Sequence, residues 1–361
     1  MGRGSAGTTR RVVVLVLLVA LVAAVVVVVR LVWDRTHRSD LERALGMVPA
    51  ASLRVAFTDW AQVRRLTGVG ETTDRDRIDA LMSKAYDADL AGSSSISESA
   101  AALQEHLGFS SGTADWEAYA QSREGATMVM RMADDVDLDD IRAQLASSGF
   151  QKPDDKDGVW RGGVDLVAML DPTITPELQY VSVLDDEHAV LTSDDPSYAA
   201  KAADIAQGDG KSLAEAVDTG VLTDPLSEPP VSAMLWSRDF ACEDLAMSAA
   251  DDNDQQRAQD LVDRAGELTP LSGLLMAMDQ DRALHVIEAF ESADQAKENL
   301  RARAELAVGE AVGRGGSFSD DFRLTRSATH GAAVVLVLEP KQETGFVLSA
   351  LDNGPVLFAT C

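Results

Sequence analysis

The sequence predicts an α+β fold, in which antiparallel β-sheet and interspersed helices follow one N-terminal transmembrane helix. A long apolar segment, Val12–Trp33, indicates the transmembrane helix. From Ala126 onwards, strand-like segments follow one another across short polar connections, which favours antiparallel hairpins. Amphipathic helices stand between these hairpins, an order typical of α+β layers rather than of a doubly wound parallel sheet.

The apolar segment has the length and the flanks of a membrane anchor. From Val12 up to Arg30 the chain contains only Val, Leu and Ala, and a helix of that length covers about 27 Å, close to the hydrocarbon thickness of a bilayer. Arg30 can extend to the interface, where Trp33 also belongs. We expect residues 1–11 to be a cytoplasmic leader and residues 12–33 an uncleaved signal anchor. A cleaved signal peptide and a buried core helix are the alternatives.

The charge distribution indicates on which side of the membrane the body lies and which partners the chain can bind. Basic residues lie on both sides of the anchor, but the short leader is purely basic, which is typical of a cytoplasmic N-terminus and an extracytoplasmic body. The net charge is −27, and the first 33 residues hold four Arg and no acid, so the negative charge lies in the body. Such a field repels nucleic acid, which we exclude as a partner. The expected partners are the membrane, through the anchor, and an envelope protein or a wall polymer.

Cys242 and Cys361 are the only cysteines in the chain. In an exported protein two cysteines suggest one disulfide, which here would fasten the C-terminus to the body. Two unrelated buried thiols are the alternative. Metal binding by the pair is disfavoured, because no neighbouring Cys or His supplies the usual ligand spacing.

Three segments follow the anchor, with boundaries taken from changes in composition and pattern. Residues 34–122 form a juxtamembrane and mostly helical region, with a helix reaching Met47 and a strand over Leu53–Thr58. Residues 123–220 and 231–361 are two α+β modules, separated by a Pro-containing connection. Both modules share a strand and helix rhythm, which raises the hypothesis of two related β-α-β-β-α modules.

Local patterns assign the less regular elements. The string GTADWEAYAQS begins with a Thr-x-Asp cap signal and is predicted to be helical, with Trp116 and Tyr119 on one face. The strings GVWRGGVDLVAML and PVLFAT are predicted strands, and a long helix is predicted from Ala293 to Val312. The acids and arginines of this helix predict a solvated outer face.

One string carries part of a calcium-binding loop. In DADLAGSSSISE, Asp87, Asp89 and Glu98 occupy the first, third and twelfth positions of an EF-hand loop, and Gly92 occupies the sixth. Ala91 replaces an oxygen ligand at the fifth position, which leaves too few strong ligands for tight binding. We therefore expect a polar turn between helices and no metal site. Asp87, Asp89 and Glu98 are the candidate ligands of the alternative.

The sequence contains no recognisable catalytic or cofactor-binding motif. It has no G-x-S-x-G, no HExxH, no P-loop and no G-x-G-x-x-G string. The histidines are His37, His106, His188, His285 and His330. His285 lies in an apolar strand and is expected to be structural. We expect no cofactor and no enzymatic activity. The alternative is an envelope hydrolase whose catalytic residues come together from distant parts of the chain.

Several marks of the chain recur in a known type of protein. They are the Arg-flanked Val/Leu anchor and the strings VPAASLRVAFTDW, DWEAYAQS and GPVLFATC. In these the chain resembles uncharacterised single-pass cell-envelope proteins of GC-rich Gram-positive bacteria. The resemblance implies an envelope location and brings no activity and no site residues. We expect a membrane-tethered extracytoplasmic binding or scaffold protein; a cation-responsive structural element is a further alternative.

Overall fold

One antiparallel β-sheet of eleven strands runs through the chain from Arg54 to Pro340. The structure is a computed structural model that describes residues 38–245, 247, 250–352 and 354–361. The predicted leader and the predicted anchor therefore lie outside the described residues. Within the described ranges, no helix combines the length and the apolar character needed to cross a bilayer.

Every neighbouring pair of strands in the sheet is antiparallel, which confirms the predicted α+β class. The strands are β1 Arg54–Thr58, β2 Ala114–Gln121, β3 Ala126–Met132, β4 Trp160–Arg161, β5 Tyr180–Leu184, β6 Ala189–Ser193, β7 Ser232–Ser237, β8 Gly273–Met278, β9 Leu284–Ala289, β10 Phe322–His330 and β11 Ala333–Pro340. Their spatial order is β10-β11-β9-β8-β7-β1-β2-β3-β6-β5-β4.

The strand order repeats on the two sides of the sheet centre. At the centre β1 pairs with β7, with Ala56 opposite Met234. Outwards from β1 the order is β2, β3, β6, β5, and outwards from β7 it is β8, β9, β11, β10. Both halves thus place a hairpin beside their first strand and a second hairpin beyond it. The predicted regions 34–122, 123–220 and 231–361 all contribute strands to this one sheet.

Helices connect the strands and cover both faces of the sheet. They are α1 Asp40–Met47, α2 Trp60–Thr67, α3 Arg75–Asp87, α4 Ala100–Leu107, α5 Leu138–Ser147, α6 Val164–Leu170, α7 Pro196–Ala206, α8 Leu213–Ala216, α9 Gly220–Thr223, α10 Ala241–Asp244, α11 Asp252–Ala265, α12 Ala293–Leu306 and α13 Phe318–Asp321. Many begin at an aspartate whose carboxylate accepts first-turn N–H groups, as Asp74 and Asp251 do. Part of the acidic composition therefore serves to cap helices.

Apolar layers fill both faces of the sheet. Trp60 and Trp236 belong to the layer on one face, and Phe57 and Trp116 belong to the layer on the other. Alternate residues of a strand point to opposite faces, so each central strand contributes to both layers. Much of the remaining packing comes from Ala, Val, Leu and Met, as the low aromatic content requires.

Two strings in the first half of the chain differ from their predicted type. The string predicted as a helix around Trp116 is strand β2, and Trp116 and Tyr119 contribute to opposite layers. Pairing of β2 with β1 and β3 outweighs the cap signal. The string GVWRGGVDLVAML, predicted as one strand, forms β4 and then helix α6, with Gly163 at φ 78° between them. A positive φ favours glycine and ends an extended strand there.

The C-terminal string and the long helix also end differently from the predictions. PVLFAT, predicted as a strand, contains a short 3-10 helix over Leu357–Ala359. Its carbonyl groups bond to the guanidinium of Arg303 instead of a neighbouring strand. Helix α12 ends at Leu306 rather than at Val312.

Candidate ligand-binding groove

The last residues of the chain are fastened to the body in two ways. Cys242 and Cys361 form the predicted disulfide, with their Cα atoms 5.5 Å apart. Nearby, the buried Arg303 donates to the carbonyl oxygens of Phe358 at 2.7 Å and Thr360 at 2.5 Å. The disulfide fixes the C-terminal segment to helix α10, and Arg303 fixes it to helix α12.

The three candidate calcium ligands do not face a common point in solvent. Asp87 and Glu98 are exposed, whereas Asp89 is buried and adopts a positive φ of 57°. The carboxylate of Asp89 accepts hydrogen bonds from the main-chain N–H groups of Val347 at 2.7 Å and Ser349 at 3.0 Å, and from the Ser349 hydroxyl at 2.5 Å. Asp89 thus pins the segment 346–349, which we call the strap. Across the described residues, no group of three or more His, Cys, Asp or Glu side chains is placed to hold a metal ion.

Gly92 allows the strap to approach this loop closely. A Cβ atom at Gly92 would lie 2.5 Å from Oδ1 of Asp89 and 2.9 Å from Cβ of Ser349. Both distances are shorter than real carbon contacts permit. The glycine at the sixth position of the apparent EF-hand string is therefore explained by packing of the strap.

A cavity of about 350 Å³ lies between the loop 89–99, the threonines after helix α6 and the strap. We call it the serine groove. It is lined by Met82, Tyr86, Asp89, Ala91, Gly92, Ser94, Ser95, Ser97, Glu98, Ser99, Thr173, Thr175, Phe346 and Ser349. Its volume falls within the range of small-molecule sites in proteins.

Two aromatic rings lie at the rim of the serine groove. Tyr86 is 66% exposed and Phe346 is 56% exposed, and both are among the few large apolar side chains of the described chain that face solvent. Their ring centroids are 5.7 Å apart in an edge-on arrangement. Such a pair is stabilised by the ring quadrupoles but leaves most of its area uncovered.

The wall of the serine groove is rich in hydroxyl groups and contains neither Lys nor Arg. Its acids are Asp89, whose carboxylate is bonded to the strap, and Glu98. A serine or threonine hydroxyl can donate one hydrogen bond and accept two. The wall therefore offers many neutral hydrogen-bonding groups and no cation for an anionic ligand.

A buried carboxyl group accepts a hydrogen bond from the Ser94–Ser95 turn that lines the groove. Glu117 of strand β2 accepts from the main-chain N–H of Ser95 at 3.0 Å and from Nε1 of Trp60 at 2.9 Å. Burial raises the pKa of Glu117 to about 7, and hydrogen bonds from Ser94, Trp60 and Ser95 offset part of that rise. These bonds fix the Ser94–Ser95 turn in place.

His285, which was expected to be structural, lies in strand β9 beside a carboxylate. Its Nε2 lies 3.0 Å from Oδ2 of Asp279, at the edge of a second cavity of about 540 Å³. That cavity is lined mainly by charged residues, and its lining contains no Ser, Thr or Cys. His188 bonds to the carbonyl oxygen of Ala133, and His37 lies outside the described residues.

The sequence indicated one wall of the groove and missed the other. The string from Asp87 to Glu98 was expected to be an Asp- and Ser-rich turn, which is what it forms. The strap comes from the other end of the chain, and Ser349 is separated from Asp89 by 260 residues. A partial signal was Phe346, which follows the polar string KQETG, but it does not reveal Tyr86 as its neighbour.

Comparisons with known proteins found no matching sequence family and no similar curated protein. Among solved structures, the chain is similar to crystal form I of TP0453, with a TM-score of 0.41, 8% identity and coverage of 87% of this chain and 97% of that one. It is also similar to crystal form III of TP0453, with a TM-score of 0.38, 9% identity and coverage of 85% and 96%.

Proposed function

We propose that the chain is a non-enzymatic binding protein that is held to the cell membrane by its N-terminal helix, with its body outside the cytoplasm. The serine groove is the observation that carries the binding role, because it combines exposed aromatic rings with convergent hydroxyl groups. The apolar run from Val12 supports the anchor. The Cys242–Cys361 disulfide supports an oxidising compartment.

The composition of the groove favours binding over hydrolysis. A nucleophilic serine ordinarily needs an adjacent base, such as His or Lys, and neither residue lines the groove. Among the groove hydroxyls, Thr173 donates to Asp171 at 2.6 Å, Ser94 bonds to the buried Glu117, and Ser349 donates to Asp89. Asp89 also accepts two main-chain N–H groups. The bonds to Asp89 fasten the strap.

A blocking variant tests the binding role. The full chain, purified in a zwitterionic detergent, is incubated with envelope extract, and the retained components are compared between the wild type and Ser97→Trp, which fills the groove. Ser147→Trp on the exposed side of helix α5 is the matched control. We expect one component to be retained by the wild type and the control and lost with Ser97→Trp. Retention that is unaffected by Ser97→Trp would contradict the site.

Protease treatment of intact cells tests the location. With the body outside, added protease digests the chain up to the anchor while a cytoplasmic marker stays intact. A body that is cut only after the cells are lysed would contradict the proposed orientation.

We also propose that the two halves of the sheet are related modules. The repeated strand order about the β1–β7 pair supports this relation. A chain ending at Pro230 leaves the β7-facing edge of β1 uncovered, so it is expected to form a dimer through two β1 strands. Light scattering distinguishes that dimer from a monomer, and a folded monomer would count against the relation.

A further inference from the structure

We infer that the serine groove binds a neutral saccharide, with the apolar face of a sugar ring against Tyr86 and Phe346 and its hydroxyl groups on the Ser and Thr wall. This inference rests on the proposed binding role and names the class of ligand. It follows from the aromatic rim, the hydroxyl wall and the charges of the groove.

The aromatic rim fits the apolar side of a sugar. A pyranose ring presents C–H groups on one face and hydroxyl groups around its edge. The negative face of an aromatic ring attracts such polarised C–H groups. Tyr86 and Phe346 are both more than half exposed, so ring area remains available at the mouth of the groove.

The wall fits the polar edge of the same ligand. The Ser97 and Ser99 hydroxyls donate to main-chain carbonyls of Ala91 and Ile96 in their own loop, at 3.4 and 3.3 Å. Each of these oxygens keeps acceptor capacity after donating, because a hydroxyl has two lone pairs. A ligand with several hydroxyl groups can therefore pair with the wall, whereas an acyl chain would bury those groups without partners.

Charge argues against anionic ligands. The groove contains neither Lys nor Arg, and the whole chain has a net charge of −27. A phosphate or carboxylate would enter a negative field without a cation to receive it. A neutral saccharide carries no charge, so it neither opposes the negative field nor needs a cation to receive it.

The groove is also held in shape before any ligand arrives. Asp89 fixes the strap through three hydrogen bonds, and Glu117 fixes the Ser94–Ser95 turn. A wall ordered in advance reduces the entropy lost on binding. Binding should therefore depend on the two rim rings more than on rearrangement of the loops.

Array binding with rim variants tests the inference. The full chain in zwitterionic detergent is applied to neutral oligosaccharides of glucose, mannose and N-acetylglucosamine, with phosphorylated, carboxylated and free-amine glycans alongside. We expect neutral saccharides to bind, and Tyr86→Ala and Phe346→Ala each to weaken that binding by about tenfold. Tyr86→Phe and Phe346→Tyr keep the rings and should retain binding. Leu66→Ala removes an exposed apolar side chain that does not line the groove and serves as the control.

The saccharide inference would be overturned by selective binding of the charged glycans, by binding of neutral saccharides that neither alanine variant changes, or by a lack of binding to any neutral saccharide. If an envelope component is lost with Ser97→Trp but no neutral saccharide binds or competes, the saccharide class is wrong and the binding role stands. If neither binds, both proposals fail.

Discussion

Glu288→Gln should make the protein more stable above neutral pH and leave it unchanged in acid. Glu288 lies in strand β9 between Leu274 and Val334 and is completely buried. Within the described chain, neither of its carboxylate oxygens has a hydrogen-bond partner. Burial raises the pKa of Glu288 to about 7, and the charge of Arg303 offsets part of that rise.

The size of the effect follows from the difference between the folded and unfolded pKa. The ordinary value for this carboxyl is 4.5, and one pH unit corresponds to about 1.4 kcal/mol, so the difference amounts to about 3 kcal/mol. Below pH 4.5 both states hold the proton and Glu288 does not alter stability. Between 4.5 and about 7 only the unfolded chain ionises, so stability falls as pH rises. Above about pH 7 both states are ionised, and the destabilisation caused by Glu288 no longer changes with pH.

Urea unfolding of the full chain at several values between pH 4.5 and 8 measures this slope. Glutamine has nearly the same shape and does not ionise, so the stability of Glu288→Gln relative to the wild type should grow by up to about 3 kcal/mol across that interval. Glu267→Gln, at an exposed site, should show no such growth. Equal slopes for the wild type and Glu288→Gln would refute the reasoning. They would mean that Glu288 is ionised in the folded state and paired with Arg303.

Three further perturbations test other parts of the fold. Glu117→Gln places an amide N–H donor against either the main-chain N–H of Ser95 or the indole N–H of Trp60, both of which donate to Glu117. We expect the free energy of unfolding to fall by about 1–3 kcal/mol even at pH 5, where Glu288→Gln has little effect. An unchanged urea midpoint would contradict these hydrogen bonds. Reduction of the Cys242–Cys361 disulfide, whose cysteines are 119 residues apart, should lower the free energy of unfolding by about 5 kcal/mol in the chain-entropy model, and a urea midpoint insensitive to reductant would show that the link contributes little. Asp89→Ala should release the strap and make it the first site of limited proteolysis, while an unaltered cleavage pattern would show that the strap is held by other contacts.

The sequence predicted those parts of the fold that depend on local pattern. The hairpin β8–β9, for example, joins two largely apolar strings through a short polar connection, as the sequence predicted. Strand β2 was mistaken for a helix because its start resembles a cap. Its partners β1 and β3 decide its conformation, and β1 lies about 60 residues earlier in the chain.

Only one wall of the groove could be predicted, because the other wall also depends on a partner that is distant in the sequence. Loop 89–99 is recognisable as a polar turn, but its opposite wall is supplied by the strap near the C-terminus. The buried Asp89 that joins them looked like a calcium ligand, because an aspartate before a glycine-containing turn serves either purpose. Only the tertiary contact with Val347 and Ser349 distinguishes the two roles.

The C-terminal segment therefore links the disulfide to the groove. Residues 341–361 leave strand β11, pass the groove as the strap and end at Cys361. Asp89 holds the strap on one side, and Arg303 with the disulfide holds the end of the segment. Arg303 donates to the carbonyl groups of Phe358 and Thr360 whether or not the disulfide is present, so reduction of the cysteines leaves the C-terminal segment attached at the strap and near its end. Reduction should thus lower global stability while it changes the groove much less than the loss of Asp89 does.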